Sequence, residues 1–256
     1  RGAVDEFAEL LTDRIRVLGP DHPDTLTARY NLAWWRGEAG DARGAVDEFA
    51  ELLTDRIRVL GPDHPDTLTA RYNLAWWRGK AGDAQGAVDE FAELLTDRIR
   101  VLGPDHPDTL TARHNLARWR GKAGDAQGAV DEFAELLPDY IRVLGPDQAN
   151  TLAARHNLAR WRGEAGDARG AVDELAALLT DRTRVLGPDH ANTLATRHAL
   201  ARWRGKAGDA RGAVDEFAAL LPDYIRVLGP DHPDTLATRH ALARWRGLAR
   251  DVAGSD

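Results

Sequence analysis

The chain has 256 residues, a net charge of −7, no cysteine and no methionine. Without cysteine there are no disulfides or thiolate metal sites, and with Ser255 as the single serine there is almost no raw material for nucleophilic catalysis. The acidic balance disfavours wholesale nucleic-acid binding, and no apolar run of about 18 residues or charged-then-apolar leader is present. A soluble, cytoplasmic protein is expected, not an enzyme, with no cofactor or metal and no nucleic acid or membrane among its partners. The lack of Met even at position 1 leads to the expectation of a piece of a longer chain.

The string GAVDE begins at Gly2, Gly44, Gly86, Gly128, Gly170 and Gly212, a period of 42 residues. A period of that size marks arrays in which one supersecondary unit buries its apolar face only by stacking on its neighbours. In chain order, residues 2 to 18 predict a helix. Gly19 and Pro20 then stop it, and Asp21 is placed to cap the next. Pro23 sits in the first turn of a second helix, where a missing N–H costs nothing. That helix runs to Gly40 and stacks Ala28, Leu32, Trp35 and Ala39 on one apolar line, with Leu26 and Ala33 on another. Two buried lines require two packing partners.

Asp41 caps a third helix that runs to Gly61. Its apolar side holds Ala45, Val46, Phe49, Leu52, Leu53, Ile57 and Leu60, and Asp47, Glu48, Glu51, Asp55 and Arg58 face water. The unit is a helix-turn-helix with an inner and an outer member. The domain plan is a single array over 1-256: a half-repeat at 1-20, helix pairs at 21-62, 63-104, 105-146, 147-188 and 189-230, and a final helix and tail at 231-256. Pro138 and Pro222 stand inside outer helices where other copies carry Thr, so kinks are expected there.

The pattern Asn31-Leu32-Ala33, Gly40, Ala45, Phe49 and Leu60-Gly61-Pro62-Asp63-His64-Pro65 resembles the 42-residue tetratricopeptide repeat of the kinesin-light-chain type, and the resemblance covers all six copies. It implies an all-α fold, a right-handed α-solenoid or superhelix of about 12 antiparallel helices whose inner members line a concave peptide-binding groove. One departure is that Arg29 and Arg36 stand where the general repeat carries aromatics.

The copies differ mainly on one arc of the inner helix. One column reads Tyr30, Tyr72, His114, His156, His198, His240, and its neighbour Asn31, Asn73, Asn115, Asn157, Ala199, Ala241. A third reads Trp34, Trp76, Arg118, Arg160, Arg202, Arg244. A fourth reads Glu38, Lys80, Lys122, Glu164, Lys206, Leu248. The first two copies thus offer surfaces for apolar and aromatic anchors, and the later ones a cationic stripe that favours an acidic partner. By the resemblance, the Asn column holds a ligand's main chain through its amides; bonding to the neighbouring helix is the alternative.

Other repeated residues have blander expectations. Trp35, Trp77, Trp119, Trp161, Trp203 and Trp245 are assigned to the core, and Arg29 and Arg36 to carboxylates such as Asp47 or Glu48. The linker histidines (His22, His64, His106, His190, His232) are expected to be structural. The ladder His114, His156, His198, His240 falls on successive inner helices, and with helices roughly 8 to 10 Å apart shared metal ligation at ~2 Å is not expected. No phosphate loop or metal-ligand spacing occurs.

The expected function is a scaffold that binds an extended acidic peptide or protein segment in the groove. Two alternatives stay open: a self-assembling head-to-tail array, because the terminal half-repeats have complementary apolar faces, and the ligand-sensing repeat region of a larger nucleotide-binding signalling ATPase.

Overall fold

The computed structural model describes residues 2–253, with the side chains of residue 3 and residues 251–253 left aside; the tail that carries Ser255 lies outside the described residues. The chain divides into two compact units at residues 125 and 126. The first holds α1 (Gly2–Leu18), α2 (Pro23–Glu38), α3 (Ala42–Leu60), α4 (Pro65–Lys80), α5 (Ala84–Leu102) and α6 (Pro107–Lys122). The second holds α7 (Ala126–Leu144), α8 (Ala149–Glu164), α9 (Ala168–Leu186), α10 (Ala191–Lys206), α11 (Ala210–Leu228) and α12 (Pro233–Ala253). Within each unit every helix packs on the next in sequence, and no strand forms among the described residues. The expected all-α solenoid of helix pairs is what forms.

The punctuation between helices is chemical. Outer helices end at a glycine in the left-handed region, Gly61 at φ 91° and Gly103 at φ 89°, a conformation any side chain would strain. Inner helices are then capped by the linker histidine: Nδ1 of His22 accepts the amide of Asp24 at 3.2 Å, and His64, His106, His190 and His232 repeat the bond. The sequence had pointed to Asp21 for this task. Its carboxylate instead receives both terminal nitrogens of Arg58, at 2.5 and 2.8 Å. That pairing holds Asp21 below the usual carboxylate range. Asp41, as expected, caps α3 by accepting the amide of Gly44 at 2.9 Å.

The core of each unit is a row of small and large residues in register. Leu26, Ala28 and Ala33 from α2 and Ala45, Phe49 and Leu52 from α3 are at most 1% exposed, and the same columns recur at Leu194, Ala201, Ala213, Phe217 and Leu220 in the second unit. Small columns let the backbones approach, and the large ones fill the space left. One expectation fails at the end of the outer helix. Ile57 is 42% exposed, whereas Arg56, one residue earlier, is 4% exposed. The reason is a carbonyl: Arg56 Nη1 donates to the backbone oxygen of Asp66 at 2.6 Å in the first turn of α4, and its guanidinium lies 5.4 Å from the centre of the Tyr30 ring.

Arg98 repeats this arrangement with Asp108 and Tyr72. Tyr140 and Tyr224 take the same position at 1% and 3% exposure. Both follow the prolines at 138 and 222, and α7 and α11 run through those prolines as continuous helices. The helical hydrogen-bonded run continues on both sides of each proline, at the positions where kinks were expected.

The arginines of the inner helix pair across to the outer one. Arg36 meets Glu48 at 2.5 Å, as foreseen, but Arg29 meets Asp55 at 2.5 Å, not Asp47. The displacement by two turns follows from the antiparallel crossing, which brings the start of α2 beside the end of α3. Arg197 with Asp223 and Arg204 with Glu216 repeat both pairs in the second unit at 2.6 and 2.7 Å.

Candidate ligand-binding face

The four drifting columns lie on one side of the inner helices, because residues three and four apart share a helix face. In the first unit the side chains form an aromatic layer. Tyr30 meets the edge of Phe49 with ring centres 5.4 Å apart, and Tyr72 meets Phe91 at 5.3 Å. Trp34 packs edge-to-face on Trp77, and Trp76 on Trp119. Cations then cover the Trp76 ring: Lys80 Nζ is 5.3 Å and Arg118 Cζ 4.8 Å from its centre. Lys122 lies 4.3 Å over Trp119. Such contacts hold long side chains flat while leaving their charge at the surface.

The asparagines have another use. Asn73 is 3% exposed, and its Nδ2 donates to Tyr30 Oη at 3.0 Å and to the Thr69 carbonyl at 2.9 Å. Asn115 does the same with Tyr72 Oη at 2.8 Å and Thr111 at 3.0 Å. Both donor hydrogens of each amide are thereby spent inside the stack, linking one inner helix to the one before. Sequence spacing alone left this alternative open, since the partner is 43 residues away. Asn31 and Asn157 are half-buried in the same column.

In the second unit the column changes open space. Ala199 and Ala241 replace the amides, and His156, His198 and His240 replace the tyrosines that would receive them. Two neighbouring cavities result. One, of about 280 Å³, lies among His156, Arg160, His198, Ala199, Arg202 and Trp203. The other, of about 350 Å³, lies among His198, Arg202, Lys206, His240, Arg244 and Trp245. His198 and Arg202 line both. Arg160 rests 4.8 Å over Trp161, and Arg202 and Lys206 rest 5.4 and 4.2 Å over Trp203.

Glu164 tempers the charge, meeting Arg202 at 2.9 Å and Lys206 at 3.5 Å. Arg160 and Arg244 remain exposed, so cations still outnumber carboxylates on this face. Burial, with Arg182 and Arg160 adding repulsion, pushes the His156 imidazole down to about 4. Burial and then Arg202 lower His198, partly offset by Asp234. The buried atoms His156 Nδ1 and His198 Nε2 make no hydrogen bond. Imidazoles that resist protonation thus stand beside Arg160 and beside Arg202, the second of which is ion-paired with Glu164.

The core tryptophans behave as expected inside each unit, with Trp77, Trp119, Trp161 and Trp203 2–4% exposed. Trp35 departs from them at 43%, stacked only on Phe7 with ring centres 6.5 Å apart. No inner helix precedes α2 to cover it among the described residues. No group of three or more potential metal ligands occurs among them, and none of their helices is long and apolar enough to cross a membrane.

Stacked helix pairs with small-residue columns, glycine-terminated outer helices and a variable inner face define a helical-repeat interaction protein. The tetratricopeptide repeat family matches residues 1–24, 25–66, 80–140, 151–192 and 193–234, and the chain belongs to that family. Among solved structures it is similar to a Podosopora anserina protein with nearly identical TPR-like repeats of the kinesin-light-chain kind, at 25% identity and TM-score 0.71, covering 80% of this chain and 97% of that one. BtubC (BKLC) from P. vanneervenii shares the fold at 19% identity and TM-score 0.72, over 90% and 92% of the two chains. A Rap protein complexed with competence and sporulation factor shares it at 11% and 0.62, over 98% and 78%. A comparison with curated proteins finds no match.

Proposed function

We propose that the chain is a protein-interaction scaffold in which the inner-helix face of the second unit receives acidic side chains of an extended partner segment, and that of the first unit receives apolar or aromatic groups. The observation that carries this is the co-location of drift and charge. Within each unit the columns that changed between copies share one face of the inner helices, and in the second unit, where His and Ala stand in place of Tyr and Asn, two adjoining cationic cavities lie. Inner helices in such packing stand roughly 8–10 Å apart, and a segment in the extended polyproline II conformation rises about 3.1 Å per residue and returns to the same face every third residue. Acidic side chains about three residues apart would therefore reach consecutive cavities. The self-association expected from the sequence would use other surfaces, the end faces of α1 and α12.

The test uses peptides with two glutamates separated by two residues in a neutral host, and the same peptides with glutamine, read by fluorescence anisotropy. Glutamate peptides should bind more tightly and lose affinity as salt rises. Arg160→Glu with Arg244→Glu should weaken them about tenfold or more without changing helical content. Equal binding of both peptide sets would remove the acidic reading.

A further inference from the structure

Internal repetition shows what each surface of the stack is built to meet. Over Gly37 lies the ring of Trp77, over Gly79 that of Trp119, over Gly163 that of Trp203 and over Gly205 that of Trp245, each within 2.5 Å of where a glycine Cβ would stand. Two halves of this joint are open among the described residues. Nothing lies within 4 Å of the Cβ position of Gly247, and Trp35 is 43% exposed where its internal counterparts are 2–4%. Trp35 is the repeat counterpart of Trp245, and Gly247 that of Gly205.

The leucines around the joint repeat the mismatch. Leu10 of α1 is 40% exposed although Leu52, Leu94 and Leu220 in its column are at 0%. Leu236 of α12 is 45% exposed although Leu194 is at 0%. The charges have matching counterparts too. Around α11 the pairs Arg197–Asp223, Arg204–Glu216 and Arg226–Asp189 close at 2.6, 2.7 and 2.5 Å. Shifted by whole repeats, they become Arg239 with Asp13, Arg246 with Glu6, and Asp231 with Arg16, one member on α12 or the linker before it and the other on α1. Every pair is of opposite sign.

We infer that a second copy of this chain docks its α1–α2 end on α12, with α1 taking against α12 the place that α11 has against α10, and Trp35 seated on Gly247. The contact is heterologous, so it leaves the same two faces open at the far ends and propagates head to tail. Further repeats in a longer chain would fill these sockets from within by the same contacts.

Sedimentation velocity over a concentration series tests the 256-residue chain. The mass should rise above 28.1 kDa with concentration and fall back with salt. Gly247→Leu places its side chain in space that is open in the free chain. It should weaken association about tenfold or more with melting unchanged. Arg246→Glu should also weaken it, and adding Glu6→Arg should restore it. A mass fixed at 28.1 kDa up to millimolar protein, or a Gly247→Leu chain that associates as the parent does, would overturn the proposal. Failure of the charge exchange to rescue would overturn the α12-to-α1 register.

Discussion

Trp77 of α4 occupies the space over Gly37 of α2, with ring atoms 2.5 Å from the point where a Cβ would lie. The inner helices of a unit are therefore joined by a knob and a hole, and the hole exists only because the residue is glycine. Gly79, under Trp119, is in the same position. Gly79→Ala should cost about 1–3 kcal/mol, because the indole has to move within a filled core. Gly247→Ala meets nothing and replaces glycine within a helix, so it should be neutral or stabilise by up to about 1 kcal/mol. Thermal unfolding of the two variants checks the contrast; equal effects would deny the joint.

The Asn73–Tyr30 hydrogen bond is the polar counterpart of that joint. Asn73 is almost wholly buried, so removing its partner strands an N–H in the stack. Tyr30→Phe and Asn73→Ala should each destabilise, and a double-mutant cycle should give a coupling of about 1 kcal/mol. A coupling near zero would return the amide to ligand binding.

Arg98 is 5% exposed and forms no ion pair among the described residues; a carbonyl oxygen and the Tyr72 ring are its company. Burial lowers its guanidinium from the ordinary value. Arg98→Ala should cost on the order of 3 kcal/mol, through the cavity and the stranded Asp108 oxygen. In the second unit the same column pairs Tyr224 with His198. Arg98→Tyr combined with Tyr72→His should thus melt higher than Arg98→Tyr alone, and the reverse order would show that the two columns are uncoupled.

The fold was legible because most helix boundaries carry their own chemistry: glycine at positive φ, proline in the first turn, Asp at the cap of the outer helix; α8 forms without a side-chain cap, with Gln148 and Ala149 where most other copies have His and Pro. What the repeat could not convey was anything requiring a distance between helices. A helical wheel puts Ile57 inward and Arg56 beside it, and only the nearness of the Asp66 carbonyl explains the exchange. Whether Asn73 faces ligand or Tyr30 depends on the spacing of α2 and α4. Trp35 has the sequence context of its five counterparts, yet its exposure follows from its place in the stack. The drifting columns were visible from alignment of the copies; the cavities at Ala199 and Ala241 required the packed side chains.

Acid sensitivity separates the histidines from the carboxylates. His114 and His156 are both lowered from 6.5 to about 4, chiefly by burial, with Arg118 beside the first and Arg182 and Arg160 beside the second. Above pH 6.5 both states are neutral, so the folded protein gains and loses nothing. As pH falls from 6.5 towards 4, the unfolded chain takes up protons that the folded chain refuses, and stability declines. Below about 4 both states are charged and the loss stops growing. At one pH unit per 1.4 kcal/mol, the limit is on the order of 3 kcal/mol for each histidine. The ion-paired carboxylates act lower. Asp55 and Asp97 are held below 3.8 by hydrogen bonds from their arginines, so their contribution is present above that value and disappears only as pH falls beneath it. His156→Tyr places over Arg182 the ring that Arg56 has in Tyr30, and should flatten the decline between pH 6.5 and 4 while leaving the lower limb intact. Urea midpoints measured across that range decide it: an unchanged slope in the variant would mean that His156 titrates freely in the folded chain.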